Sequence, residues 1–246
     1  MKNLALITWI VSSVAFAVPE QIENKKFEPP KAPVLEESRP SDQFSKAEWE
    51  QSTKALEPDC KRGALWVLHP TESKIEGIAF KEKTVPVKGA FARVAAVART
   101  GKSGLNGEGS LDLSSWDSLL PARDYRVMKY VFGVEEKGNS VVPFRFHVAQ
   151  WNPAKKEWKA TLKLSFHFRG QAVSLDIPAT FKAEKGKVTA VAAQAKRFTF
   201  LTDKNVPGME KLMELCNHHF LASYADVSFS AVFEESCHQH AAPENK

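Results

Sequence analysis

Apolar and polar side chains alternate with a period of two over much of the chain after residue 63. The clearest stretch runs from Trp158 to Phe168, where every second side chain is apolar and the others are Lys, Thr, Ser or His. Successive side chains of a β-strand point to opposite faces, so this pattern predicts a strand with one buried and one solvated face. The alternation recurs at residues 142–148, 173–181 and 227–233, and less regularly at 73–82, 85–98 and 105–114.

Turn signals between these segments divide the region into about eight or nine strands. Regularly spaced strands with one apolar face predict an antiparallel all-β fold, either a sandwich or a barrel. Two segments interrupt the pattern. Residues 116–134 are predicted to be helical or irregular, and residues 207–220 place an apolar stripe at helical spacing, formed by Met209, Leu212, Met213, Cys216 and Phe220. We expect one or two short helices, with the second laid over one end of a barrel.

The first 17 residues have the three zones of a cleavable signal peptide. Lys2 supplies a positive charge, residues 4–16 form an apolar run, and Ala15 and Ala17 are the small residues that signal peptidase requires. The run is shorter than the ~20 apolar residues of a spanning helix, which disfavours a membrane anchor. The residue directly after Ala17 is Val18 and not a cysteine that could carry a lipid anchor. We expect cleavage after Ala17 and export to the periplasm.

Residues 18–59 differ in composition from the strand-rich region after them. They hold six of the 14 prolines and ten Asp or Glu against six Lys or Arg. Such a segment predicts a largely disordered acidic linker, with a short helix around residues 45–56 that has Ser45 as N-cap and Glu48 three residues later. Residues 60–237 are the predicted barrel and 238–246 a disordered tail. Residues 60–246 carry a net charge of +8, which suits anionic lipid headgroups or cell-wall polymers.

The chain has three cysteines, Cys60, Cys216 and Cys237. An odd number in an oxidising compartment suggests one disulfide and one spare thiol, and three pairings are possible. Cys60 precedes the first predicted strand and Cys237 follows the last, so a closed antiparallel barrel would bring them together. We therefore predict a disulfide between Cys60 and Cys237.

Four segments between residues 66 and 233 resemble the YceI-like family of exported polyisoprenoid-binding proteins. The opening ALWVLHPTESKI and the segment VPVKGAF are similar to the first strands of that family. The most specific likeness is GSLDLSSWDS, followed by an Arg-Asp pair and Val-Phe, with Ser118 in place of the usual Thr. Residues 162–177 resemble a strand pair of the family. The acidic linker and a helix carrying Cys216, His218 and His219 depart from the family pattern.

This resemblance implies a lipocalin-like barrel of about eight strands around an apolar tunnel that holds a polyisoprenoid or similar amphiphile. Burying an apolar chain gives ~25 cal/mol per Å² removed from water, which is the driving force such a tunnel would use. The likeness and the alternating faces together predict which side chains form the tunnel walls. These are Phe91, Leu111, Leu113, Phe144, Phe146, Leu162, Leu164, Phe166, Leu175, Ile177 and Phe229.

A loop with Asp117, Arg123 and Asp124 follows the fourth predicted strand. Arg123 is our candidate for contacting a polar or phosphate headgroup at the mouth of the barrel. The structural alternatives, an Asp cap and an Arg–Asp pair that fixes the loop, are favoured over it.

The sequence lacks the common motifs of catalysis. It contains no nucleophile elbow, no HExxH and no phosphate-binding loop, and its His and Cys residues do not form a complete metal ligand set. We therefore expect no catalytic residues, metal or cofactor. The predicted partner is a polyisoprenoid or other long-chain amphiphile rather than nucleic acid, and transient contact with a membrane surface is compatible with this. The alternative function is an envelope scaffold that acts through the linker and the basic barrel surface.

Overall fold

Strands dominate the computed structural model of this chain, which describes residues 22–23, 45–56 and 64–237. Within these residues the strands are β1 Ile22–Glu23, β2 Leu65–Leu68, β3 Lys74–Lys81, β4 Val85–Phe91, β5 Val94–Gly101, β6 Gly104–Asp112, β7 Trp116–Asp117, β8 Val141–Val148, β9 Glu157–Phe168, β10 Gln171–Glu184, β11 Lys187–Ala192, β12 Lys196–Thr199 and β13 Phe220–Glu235. The α-helices are α1 Lys46–Lys54, α2 Pro121–Arg126 and α3 Val206–Cys216. A 3-10 turn spans Leu113–Ser115, and a π-helical segment, Val127–Phe132, continues α2.

Eight of these strands close into an antiparallel barrel in the order β2, β5, β6, β8, β9, β10, β11, β13. Strand β13 closes the ring because its last residues pair with β2 on one side and with β11 on the other. The predicted antiparallel barrel is therefore confirmed. Helices α2 and α3 are the one or two short helices predicted for this region, and α1 falls in the helix predicted for the linker.

The long strand β13 also extends the wall beyond the closed ring. Its first part pairs with β3 and β12, so that Ala225 lies opposite Ala79 on one side and Phe198 on the other. Strand β4 pairs with β3, and β7 pairs with β4. We call β3, β4, β7, β12 and the first part of β13 the second tier of strands; they belong to the same continuous sheet as the ring.

Residues 85–98, predicted as one strand, form two. The chain leaves β4 after Phe91 and starts β5 at Val94, because the backbone N–H groups of Ala92 and Arg93 donate to the backbone oxygen and the Oγ of Ser115 instead of continuing a ladder. The break matters for the site because it lets β4 follow the second tier while β5 joins the ring.

Aromatic side chains fill the closed half of the barrel. Trp158 stacks on Phe181 with 5.2 Å between ring centroids and 12° between planes, and Trp151 packs edge-on against both rings. Phe146 lies on Gly107 of the neighbouring strand, where a Cβ would come within 2.1 Å of its ring. Interiors packed in this way leave few voids. This end of the barrel is a solid core, and any cavity must lie at the other end.

A second apolar cluster lies under the helices at the opposite end of the barrel. Met209 and Leu212 of α3 pack there with Met128 and Val131 of the π-helical segment. Helix α3 approaches closely because Gly208 has no side chain, since a Cβ at that position would lie 1.9 Å from the backbone oxygen of Tyr130. The predicted helix over one end of the barrel is present as α3.

Helix α1, within the predicted linker, packs on the outside of the barrel. The predicted helix is present, but the predicted capping box is wrong, because the Ser45 side chain makes no cap hydrogen bond. Its Oγ donates instead to Oδ2 of Asp112 at 2.9 Å. Glu48 accepts from the backbone N–H of Gly138 at 2.7 Å and from the hydroxyl of Ser140. Both side chains thus form hydrogen bonds with barrel residues that are distant in sequence.

The cysteines differ in state. Cys237 is disulfide-bonded and Cys216 carries a free thiol. Cys60, like the signal peptide, most of the acidic linker and the tail, lies outside the described residues, so its pairing with Cys237 stays a prediction. No helix of the described chain is long and apolar enough to cross a membrane.

Candidate functional site: an apolar cavity

A cavity of about 240 Å³ lies between the solid half of the barrel and the helices. It is larger than the ~150 Å³ apolar cavity that stays dry and binds benzene in an engineered protein. Its lining is almost entirely aliphatic and aromatic, and within the described residues no Asp or Glu lines it. Such a surface offers water no hydrogen-bond partners, so it favours an apolar occupant.

Seven of the predicted tunnel residues line this cavity. Six come from five strands and one, Leu113, from the 3-10 turn; they are Phe91, Leu111, Leu113, Phe144, Leu164, Phe166 and Leu175. Cross-strand pairing places Phe144 beside Phe166 and Leu164 beside Leu175. Their contact with a ligand stays a prediction.

The other four predicted residues do not line the cavity. Phe146 and Leu162 belong to the solid core of the closed end. Ile177, paired with Leu162, is completely buried one step below the Leu164–Leu175 pair. Phe229 packs against both apolar clusters. Alternation predicts which face of a strand points inward, but it carries no information on how deep along the barrel a side chain lies.

Sequence reasoning missed the part of the lining that lies outside the long regular strands. The helical segments supply Val127, Val131, Phe132, Met209 and Leu212, and the second tier supplies Ile78, Phe80, Val87, Trp116, Phe198, Leu221 and Ala225, among others. The helical stripe with Met209 and Leu212 was recognisable, but its position over the barrel interior was not. Strand β12 is too short for alternation to stand out.

Three aromatic rings build one wall of the cavity. Phe91, Trp116 and Phe132 contact one another with centroids 5.0 to 6.0 Å apart. Trp116 lies across Gly89 of β4, where a Cβ would sit 2.2 Å from the indole ring. Glycine at this position is therefore what allows the indole to lie flat against the sheet.

Three side chains that can carry positive charge line the cavity, namely Lys81, Arg123 and His218. Arg123 is held by Ser118, whose hydroxyl accepts from Nε at 2.8 Å and whose backbone oxygen accepts from a terminal nitrogen at 2.7 Å. Asp124 is buried and accepts from the Ser118 backbone N–H at 3.0 Å and from its hydroxyl. The loop is fixed through Ser118 rather than by a direct Arg–Asp pair, and this fixation leaves Arg123 at the cavity.

His218 is near the end of α3, with Nδ1 3.6 Å from a carboxylate oxygen of Glu82. Burial, and secondarily the charge of Lys81, lower the pKa of His218 below its usual 6.5, against the opposing effect of Glu82. The imidazole is therefore largely neutral at pH 7. Cys216 accepts a hydrogen bond from Arg126 at 3.6 Å.

Metal-ligating residues do not cluster in the part of the chain that the structure describes, where no group of three His, Cys, Asp or Glu residues could hold an ion. Cys216 and His218 both line the cavity but are not joined there by a third ligand. His238 and His240 of the tail lie outside the described residues.

Two solved structures have a similar fold. One is a polyisoprenoid binding domain from Saccharophagus degradans implicated in plant cell wall breakdown; it is 15% identical, has a TM-score of 0.59, and the alignment covers 69% of this chain and 98% of that one. The other is BcnA of Burkholderia cenocepacia, 16% identical with a TM-score of 0.52, and the alignment covers 67% of this chain and 98% of that one. The chain shares their fold. The likeness to the YceI-like family predicted from the motifs is thus confirmed at the level of fold.

At these sequence identities the likeness shows that the fold is shared, but it does not show which ligand this chain binds. No protein family model and no curated protein matches the chain. The candidate site therefore depends on the geometry of this cavity.

Proposed function

We propose that this protein is an exported lipid-binding protein that sequesters or carries a polyisoprenoid or similar amphiphile inside the barrel. The observation that carries the proposal is the cavity of about 240 Å³, with an apolar lining and Lys81, Arg123 and His218 as its charged or titratable members. An amphiphile matches this arrangement because its chain gains free energy by leaving water and its polar head finds cationic partners. The fold neighbour named for polyisoprenoid binding supports the same ligand class.

Export to the periplasm is part of the proposal and is motivated by the N-terminal pattern of residues 1–17. A barrel that shields an apolar chain is useful where an aqueous compartment separates two membranes. The proposed role requires burial alone and no catalytic group, in keeping with the motif content of the chain.

The ligand can be tested directly. The protein is purified from the cells that produce it naturally, and its mass is measured by native mass spectrometry before and after organic extraction. We expect a mature chain beginning at Val18 with one long-chain amphiphile bound, released intact by the solvent. A bare chain from the same cells, with the cavity empty in its crystal structure, would overturn the proposal. A mass that retains residues 1–17 would overturn the export part alone.

The depth of the cavity predicts which chain lengths fit. Phe144 lines the cavity and covers Gly109, where a Cβ would come within 2.4 Å of its ring. The ring of Phe146, whose centroid is 6.3 Å from that of Phe144, belongs to the solid core. Phe144 therefore forms the floor, and the closed half of the barrel below it is not available to a ligand.

We expect Phe144→Ala to deepen the cavity and to shift the preference towards longer chains. Each additional buried methylene gives ~0.8 kcal/mol, so burial of only two carbons of one further five-carbon unit should already raise the relative affinity about tenfold. Displacement of a fluorescent fatty probe by prenyl alcohols of graded length measures the shift. Phe146→Ala is the matched control, since it removes the same volume below an intact floor. Equal length profiles for both variants would contradict Phe144 as the floor.

A further inference from the structure

Exposed apolar side chains are concentrated at the cavity end of the barrel. Within the described residues four large hydrophobic side chains are exposed: Val85, Leu119, Leu120 and Val191. Val85 begins β4 and pairs with Lys81, which lines the cavity. Leu119 and Leu120 lie between β7 and α2, flanked by the lining residues Trp116 and Arg123. Three of the four thus lie on segments that adjoin cavity-lining residues, whereas Val191 is on β11 of the closed ring.

Leu119 is held outward by its loop. Its side chain is 85% exposed, and its backbone adopts the left-handed conformation with φ of 66°. That conformation costs a non-glycine residue ~1–2 kcal/mol. Asp117 offsets the cost by accepting a hydrogen bond from the Leu119 backbone N–H at 2.7 Å. The preceding residue, Ser118, is fixed by hydrogen bonds with Arg123 and Asp124. The loop presents a large apolar side chain to solvent in a strained, fixed conformation.

Basic side chains accompany these residues. Lys83 and Lys88 are exposed on the β3–β4 hairpin. Strand β4 of this hairpin pairs with β7 through Ala90 and Asp117, two residues before Leu119. The acidic neighbours are Asp117, which accepts the Leu119 N–H, and Glu82, which accepts the backbone N–H of His219 at 2.9 Å. A third, Glu76, lies near Lys88 and is paired with Lys74 at 2.6 Å. All three carboxylates have partners within the protein, and both hairpin lysines are exposed.

We infer that Val85, Leu119 and Leu120, together with Lys83 and Lys88, form a membrane-docking tip that seats the mouth of the cavity on an anionic lipid surface. The apolar side chains enter the boundary between headgroups and acyl chains, and the lysines contact lipid phosphates. This inference deepens the proposed lipid carriage and rests on it, because a carrier must take its ligand from a bilayer and return it.

The small size of the docking tip fits a reversible contact. Stable anchoring to a bilayer needs a larger apolar area or two covalent lipid chains. Three side chains and two ammonium groups give a weak, salt-dependent attachment, from which a loaded carrier can leave.

The test is co-sedimentation of the full mature chain with vesicles of phosphatidylcholine containing phosphatidylglycerol, and with vesicles of phosphatidylcholine alone. The test variant is Leu119→Asn with Leu120→Ser, because Asn tolerates the left-handed backbone and only apolarity changes. We expect it to bind at least ~10-fold more weakly than the natural chain. The matched control Val191→Ser removes an exposed apolar side chain elsewhere and should change binding by less than about twofold.

A second variant tests the charge. Lys83→Ala with Lys88→Ala should weaken binding to the anionic vesicles by about fivefold per lysine at low salt and leave binding to the neutral vesicles unchanged. Docking is overturned if the natural chain does not sediment with the anionic vesicles, or if the Leu119/Leu120 variant sediments as well as the natural chain.

The bound lipid of every variant is measured in parallel by extraction. Retained lipid with lost vesicle binding supports the docking tip. Retained lipid with unchanged vesicle binding overturns the docking tip but leaves the carrier intact. A natural chain that binds vesicles and never holds a lipid overturns the carrier and, with it, the role of docking in lipid transfer.

Discussion

Replacing Ala225 with Trp is expected to lower the affinity for a long-chain amphiphile at least ~100-fold. Ala225 of β13 lines the cavity, and its cross-strand neighbours Ala79 and Phe198 line it too. A tryptophan side chain occupies ~150–250 Å² of contact surface. At ~25 cal/mol per Å², the displaced ligand would lose about 4 kcal/mol or more. Titration with a fluorescent prenyl probe measures the loss.

Ser228→Trp is the matched control for this variant. Ser228 is on the same strand, but its side chain interacts with the outward-facing Glu76. A tryptophan there should leave probe affinity within about twofold. Undiminished binding by a folded Ala225→Trp protein would mean that the ligand does not occupy this cavity, and the proposed function would lose its main support.

The difference between Leu164 and Leu162 illustrates what the sequence could and could not predict about the cavity. Both follow the same alternation on β9 and both point inward, yet Leu164 lines the cavity and Leu162 belongs to the solid core. Inward orientation follows from the backbone geometry of a strand. How deep in the barrel a side chain lies relative to the cavity depends on which aromatic rings of other segments fill the interior. Here Trp158 of β9 and Phe181 of β10 occupy the closed end together with Trp151.

Loop residues around the cavity were harder to predict for a different reason. The Arg123–Asp124 pair was expected to be structural or to contact a headgroup, and the structure gives it a structural role through Ser118 while also placing Arg123 at the cavity. A single sequence indicates which polar groups need partners but does not name the partners. Trp116 and Phe132 were missed as wall residues because the two-residue strand β7 and the six-residue π-helical segment are too short to show a periodicity.

Composition did not predict how helix α1 of the linker attaches to the barrel. A Pro-rich acidic segment has too little apolar surface to form its own core, which favours disorder. Ser45 and Glu48 nevertheless find partners on the barrel, at Asp112 and Ser140. Those contacts are polar and join residues about 70 and 90 positions apart. No local pattern in a sequence reports contacts of that kind.

Asp112 is the centre of the polar contacts that hold this helix, and its loss should have the largest effect on stability. The carboxylate is completely buried and lies 2.8 Å from Nε of Arg93. It also accepts from Ser45 Oγ at 2.9 Å and from the backbone N–H of Ser114 at 2.8 Å. Asp112→Ala would leave a partly buried guanidinium without this carboxylate, a change that typically costs ~3–5 kcal/mol.

We expect Asp112→Ala to lose about 3 kcal/mol of unfolding free energy, at the lower end of that range because Arg93 keeps some contact with solvent. Urea denaturation of the full mature chain measures the loss, and hydrogen exchange of residues 45–56 should rise in the same variant because α1 loses its attachment at Ser45. Asp176→Ala, which removes an exposed carboxylate on β10, should stay within ~0.5 kcal/mol. A loss below ~1 kcal/mol for Asp112→Ala would show that solvent replaces the carboxylate. The buried contacts of Asp112 with Arg93, Ser45 and Ser114 would then not explain why an Asp stands at this position.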